Sequence, residues 1–215
     1  MKSRKNVGWL VAALALSGFA AGVSSAQDSH KDKGAQHAAD PHMSPEQAAE
    51  MEAWMKAAAI TENHERLNYF VGTWNTTVKS WMAGPDSEPM TSSGTSRCES
   101  IMGGRYIKDS FKGDFMGEPF EGMGLTGYDN VQGHYVGTWI DSMGTGMMHS
   151  KGSYDAASKS YTFHAAYPDP VNPGKMKKMK EIIKIVSDSE YTFTMFDIDE
   201  KGAEIKQMEI TYKRS

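Results

Sequence analysis

From Gly72 onward the chain alternates apolar and polar residues at a period of two, whereas before that point the spacing is helical. Ala48, Met51, Met55 and Ala58 fall at helical intervals with Trp54 and Ala59 beside them, so residues 44–60 are expected to form a helix with one apolar face. Its start is well marked. Ser44 supplies an N-cap, Pro45 the first helical position and Gln47 the far member of a capping box. A second start at Thr61 leads through Glu62, His64, Glu65 and Leu67, predicting a short helix that reaches Phe70 and runs straight into the first strand.

The two-residue period then predicts strands at 74–81, 90–102, 105–115, 120–128, 134–141, 145–154, 161–166, 177–186, 191–198 and 203–214. Turn residues separate them, among them Gly84-Pro85-Asp86, Gly103-Gly104, Asp129-Asn130, Met143-Gly144 and the longer Pro168 to Gly174 connection. No helical crossover intervenes, so the strands are antiparallel. A meander of about ten strands closes into a barrel, because closure removes the exposed edges. The expected class is all-β, with the N-terminal helix at 44–60 and a barrel domain at 61–215. Gly122, Gly124 and Gly137 are expected to allow sharp strand curvature inside it.

The first residues give an address. Lys2, Arg4 and Lys5 precede an apolar run from Val7 to Val23 and then Ser24-Ser25-Ala26, the order of a cleaved secretory signal peptide, so the protein is expected to be periplasmic or secreted. The run holds Gly8, Ser17, Gly18 and Gly22 and falls short of a comfortable membrane span, so no integral membrane segment is expected after cleavage. Cleavage after Ala26 removes three basic and no acidic residues, taking the formal net charge from −4 to −7, which disfavours nucleic acid as a partner. Residues 27–43 are polar and without period, a flexible leader whose His30, His37 and His42 are too irregularly spaced to specify a metal site. Cys98 is the single cysteine, so no internal disulfide is available; it reads as a small buried residue, since no neighbouring histidine or cation cluster would lower its pKa.

Candidate chemistry centres on Gly122–Gly152. Tyr135, Trp139 and Asp141 share one face of their strand by alternation, and Thr145, Met147 and His149 share a face of the next; Tyr128 lies just upstream. Facing inward together, they would combine aromatic surface with a carboxylate and so orient a small amphipathic ligand. The other reading makes Trp139 a core residue and Asp141 a cap for the Ser142–Gly144 turn. Arg105 is a candidate to neutralise Asp141 or to hold a ligand carboxylate, against an ordinary surface ion pair. Sixteen methionines invite Cu(I) beside His149, yet Met147 and Met148 point to opposite faces, so apolar filling of a pliable interior is the better account. His164 raises haem ligation, but it shares a face with Thr162 and Ala166, away from Tyr161 and Phe163, as a surface histidine would. Lys175, Lys177, Lys178 and Lys180 read as a solvated edge that discourages sheet-to-sheet association. Enzyme signatures such as Gly-x-Ser-x-Gly, His-Glu-x-x-His and the phosphate loop are missing, and nothing selects an acid–base pair of Asp141 with His149. No catalytic residue, metal or cofactor is therefore assigned.

Phe70-Val71-Gly72-Thr73-Trp74, following a short helix, resembles the Gly-x-Trp start of lipocalin-like barrels. Four further stretches, Gly103-Gly104-Arg105, Gly127-Tyr128-Asp129-Asn130, Thr138 to Gly146 and Met208 to Arg214, are similar, in order, to the bacterial family called domain of unknown function 1579. The likeness covers roughly residues 61–215. It implies a calycin-type barrel and carries no established reaction. The lipocalin likeness further implies that Trp74 stacks under Arg214, a structural cation–π contact. The resulting expectation is an exported lipocalin-like protein that holds a small apolar or amphipathic molecule in its interior. Two alternatives stand beside it: a small-molecule enzyme using Asp141 and His149, and an interaction module that docks through the helix at 45–59. The oligomeric state, a homodimer included, stays open.

Overall fold

A computed structural model describes residues 44–82 and 84–215. The expected signal peptide at 1–26 and leader at 27–43 lie outside the described residues. Helix α1 spans Pro45–Ala58 and starts as its sequence dictates: Ser44 Oγ accepts from the Gln47 N–H, and Gln47 Oε1 accepts from the Ser44 N–H. The large residues of its apolar face, Met51, Trp54 and Met55, are exposed. No residue of α1 is buried, and Trp54 is 68% exposed. Among the described residues, the side-chain hydrogen bonds that hold the helix to the barrel lie at its C-terminal end, where Arg105 Nη2 donates to Ala58 O at 2.9 Å and Asn130 Nδ2 donates to the carbonyls of Ala57 and Ala59 at 2.9 and 2.7 Å. A short helix α2, Glu62–Glu65, then passes into a 3-10 turn, Arg66–Phe70, and buries His64, Leu67 and Phe70. No helix of the described residues is long and apolar enough to cross a membrane.

Ten strands follow: β1 Gly72–Ser80, β2 Met90–Ile101, β3 Tyr106–Phe115, β4 Glu118–Asp129, β5 His134–Asp141, β6 Met148–Asp155, β7 Ser160–Pro168, β8 Met176–Ser187, β9 Glu190–Ile198 and β10 Glu204–Arg214. Each pairs with the next, and β1 pairs with β10, so the sheet is a closed antiparallel barrel. Closure is what corrects the lysine-rich stretch. Lys177, Lys178 and Lys180 belong to β8, which is hydrogen-bonded to β7 on one side and β9 on the other, and therefore guard no edge.

The alternation that the sequence shows becomes an inside and an outside. In β1, Trp74, Thr76, Val78 and Ser80 are buried while Thr73, Asn75, Thr77 and Lys79 are exposed. Cross-strand registers carry this facing around the ring: Trp74 pairs with Arg214, Tyr212 with Tyr191, Phe163 with Glu181, Tyr135 with Tyr128 and Gly124 with Asp109. The α2 segment and the 3-10 turn cover one end of the interior, next to Trp74, Tyr135, Tyr161 and Tyr191. The opposite end is ringed by the β1–β2, β3–β4, β5–β6, β7–β8 and β9–β10 connections.

Candidate functional site in the barrel interior

The covered end forms an aromatic floor. Trp74 is fully buried, its Nε1 donates to Phe70 O at 2.7 Å, and the Arg214 guanidinium lies 4.1 Å over its ring. Arg214 holds that position by donating to the carbonyls of Tyr69, Val71 and Asp188. Tyr191 meets Trp74 edge-on and stacks on Tyr212 with ring centroids 4.2 Å apart. Tyr135 donates its hydroxyl to Asn63 O and packs edge-on against Tyr128 and Tyr161. Tyr128 in turn meets the ring of His64, whose Nδ1 caps α2 at Thr61.

Away from the floor the interior loosens. Along β5 the inward residues pass from buried Tyr135 to half-buried Trp139 and Asp141; along β9, from buried Tyr191 to half-buried Phe193, Met195 and Asp197; along β10, from buried Tyr212 and Ile210 to half-buried Met208. Solvent thus enters the barrel from the loop end. Trp139 lies flat against β4, where a Cβ on Gly122 would sit 2.2 Å from its indole and one on Gly124 3.2 Å. These glycines therefore make room for a ring on the neighbouring strand, a reason for them beyond curvature. Trp139 Nε1 donates to Asp141 Oδ2 at 2.9 Å, and Asp141 Oδ1 accepts from the Met143 N–H at 2.9 Å. The two readings of this pair thus coexist: the side chains face inward, and the carboxylate also caps the turn.

Two further carboxyls lie deeper, and the candidate residues named from sequence did not include them. Asp109 of β3 accepts from Ser96 Oγ, and burial raises its pKa against that hydrogen bond. Glu181 of β8 is buried between Phe163 and Met195 of the flanking strands, and among the described residues it has neither a hydrogen-bond partner nor an ion pair. Burial alone pushes its carboxyl up to about 7. Strands β3 and β8 stand on opposite walls of the ring, and both carboxylates act on the buried Tyr212 phenol, whose pKa is raised by burial first and by these charges next. The Thr76 hydroxyl, paired in register with Tyr212, is buried without a partner. Alternation carried the signal for both acids: Glu181 shares its parity with Met179, Ile183 and Ile185, and Asp109 with Ile107 and Phe111.

The remaining sequence candidates lie elsewhere. His149 pairs with Thr138 on the outer face, and Thr145 and Met147 belong to an exposed loop, because β6 begins only at Met148. Asp141 inside and His149 outside therefore form no acid–base pair. Met148 points inward, His149 outward, and among the described residues no three His, Cys, Asp or Glu side chains converge as metal ligands. Arg105 sits at the floor end, donating to Met102 O and Ala58 O, remote from Asp141 at the loop end. His164 is exposed on the outer face, where it borders a groove of about 550 Å³ with Thr138, His149, Lys151 and Lys178. No inward aromatic side chain lines that groove. Cys98 is buried, and burial together with the Asp109 charge pushes its thiol up to about 12, so no thiolate forms near neutral pH.

The family model described as protein of unknown function (DUF1579) matches residues 59–214. The chain belongs to that family. The DUF1579 match spans the α2 segment and all ten strands, and this family member is a closed, ten-stranded antiparallel barrel. Comparison with curated proteins finds no significant match. Among solved structures the chain is similar to an S-type phycobiliprotein lyase from Guillardia theta, at 11% identity and a TM-score of 0.49 over 75% of this chain and 96% of the lyase. It is also similar to a redesigned β-barrel, at 14% identity and a TM-score of 0.38 over 74% of this chain and 99% of that one. A redesigned barrel bound to DFHBI matches at 14% identity and a TM-score of 0.33 over 72% of this chain and the whole of the other. The structure also gives the family motifs physical content. In Gly127-Tyr128-Asp129-Asn130, Gly127 leaves room for the Tyr106 ring, Tyr128 packs on His64 and Tyr135, Asp129 accepts from the Val131 and Gln132 N–H groups, and Asn130 holds the end of α1.

Proposed function

We propose that this DUF1579 barrel is an exported binding protein that holds a small apolar or amphipathic molecule in its interior. One observation carries the reading: inward side chains grade from a sealed aromatic floor at Trp74 and Tyr135 to half-buried Trp139, Phe193, Met195 and Met208 toward the loop end. A barrel built only to be stable would bury its apolar interior at both ends. This one leaves aromatic and thioether surface facing a solvent-reached interior, with a carboxylate at Asp141 fixing the indole of Trp139. Such a combination of apolar wall and a few oriented polar groups is what retains a small organic molecule. Export rests on the order of basic, apolar and small residues through Ala26.

The test is saturable binding of an apolar fluorescent probe to the purified protein, paired with native mass spectrometry of the protein recovered from its host. Binding that weakens by about tenfold in Trp139→Ala supports the reading, since the indole would supply much of the contact area. Absence of saturable binding and of any co-purified mass would overturn it.

A further inference from the structure

The polar inventory of the barrel interior selects among ligands by charge. Basic residues occupy inward-facing strand positions only at the two extremes: Arg214 at the floor, already engaged with Trp74 and three carbonyls, and Lys177 at the loop-end rim. Between them, among the described residues, no inward strand position carries lysine, arginine or histidine. The acids are distributed through the same space. Asp141 and Asp197 lie toward the loops, where Asp197 accepts from the Tyr167 hydroxyl at 2.9 Å, and Asp109 and Glu181 lie deeper on opposite walls. Three of these four carboxylates have a donor from the protein. Glu181 has none; the residue is 9% exposed, and its carboxyl, whose oxygens are not fully sealed from solvent, projects into the interior between Phe163 and Met195.

A buried carboxyl without a donor costs free energy that a well-packed apolar residue would not, so its presence on an otherwise apolar strand face needs a counterpart. The protein supplies no donor among the described residues. A bound molecule can. An anionic ligand would meet Lys177 at the rim and then an acidic, low-dielectric space with no inward strand cation among the described residues before Arg214, whereas an ammonium group would gain a charge-assisted hydrogen bond and the faces of Phe193 and Tyr212 nearby on β9 and β10. We propose that the barrel takes a small amine with an apolar body, its nitrogen received by Glu181 and its body lying along the wall of Trp139, Phe193 and Met195. This rests on the reading of the barrel as a small-molecule binder and names the chemical class that the site accepts.

Three probes with one naphthalene body separate the two claims: 1-naphthylmethylamine, 1-naphthylmethanol and 1-naphthoate, titrated calorimetrically into the full chain. The amine is expected to bind about tenfold tighter than the alcohol, with the carboxylate weakest, matching the worth of a hydrogen bond to a charged group. In Glu181→Gln the amine and alcohol should converge to within about twofold while alcohol binding persists. Where that variant fails to fold, Glu181→Leu takes its place with the same expected outcome. An alcohol that binds as tightly as the amine in the unaltered protein, or an amine preference that survives loss of the carboxylate, overturns the amine proposal and leaves the binding function standing. Failure of all three probes, together with the apolar probe above, overturns both.

Discussion

At the floor of the barrel the polar atoms of Trp74, Tyr69 and Tyr135 all reach backbone carbonyls, at Phe70, at Ser187 and Glu190, and at Asn63. Toward the loops the same kinds of residue are finished differently: Trp139 and Tyr167 each donate to a carboxylate, and deeper on the wall Glu181 has no hydrogen-bond partner among the described residues. Backbone carbonyls cannot leave, so floor hydrogen bonds commit those side chains to one packing. Side-chain acids retain acceptor capacity for a newcomer, because each carboxylate can receive several donors. The contrast separates an end that is committed to one packing from an end where the proposed binding would take place, and it can be broken experimentally.

The largest effect should come from the floor. Trp74→Ala removes a fully buried indole, its hydrogen bond and the platform for Arg214, and should cost about 3–5 kcal/mol in denaturant unfolding. Trp139→Ala, at a half-buried site, should cost less than half of that; equal losses would erase the distinction between the two ends. Next comes the pH dependence of Glu181. Its carboxyl is held above its ordinary value in the folded protein, so the folded state retains a proton that the unfolded chain releases first. Stability is therefore full below the unfolded pKa and is lost as pH rises through about 7, by about 3 kcal/mol over that window. Melting curves between pH 4 and 8 should show this fall, and Glu181→Gln should flatten it. The smallest effect is expected at Gly122→Ala, where the new Cβ meets the movable Trp139 indole instead of backbone. A cost of about 1–2 kcal/mol together with lost probe binding would place the indole in the recognition wall; unchanged binding would return Trp139 to mere packing.

The strands were legible because each is short, strictly alternating and bounded by turn residues that cannot continue a ladder, as at Gly103-Gly104 and Asp155 to Lys159. The capping box of α1 was equally legible from Ser44, Pro45 and Gln47. The inward set of β6 was not. Its parity relative to β5 depends on how many residues the connection takes, and the observed register pairs Trp139 with Met148, an odd position with an even one. Counting through Thr145 and Met147 as strand thus carried His149 to the wrong face. Arg105 escaped for another reason: its partners are carbonyls of Ala58 and Met102, and backbone groups leave no trace in residue type. Glu181 and Asp109 were readable in principle, as acids on apolar parities, but each is a single acid on the inward parity of its strand, a weaker signal than the dense aromatic and glycine pattern of Gly122–Gly152.

The seam between β1 and β10 sets a timetable. Arg214 reaches back to the carbonyls of Tyr69 and Val71, more than 140 residues away in sequence, and β10 is the strand that joins both β9 and β1. Without β10 the ring is open, and β1 and β9 are each left with one unpaired side. Closing a loop of that length is entropically slow, so the contact that covers the tryptophan at the start of β1 with its arginine is expected among the last to form.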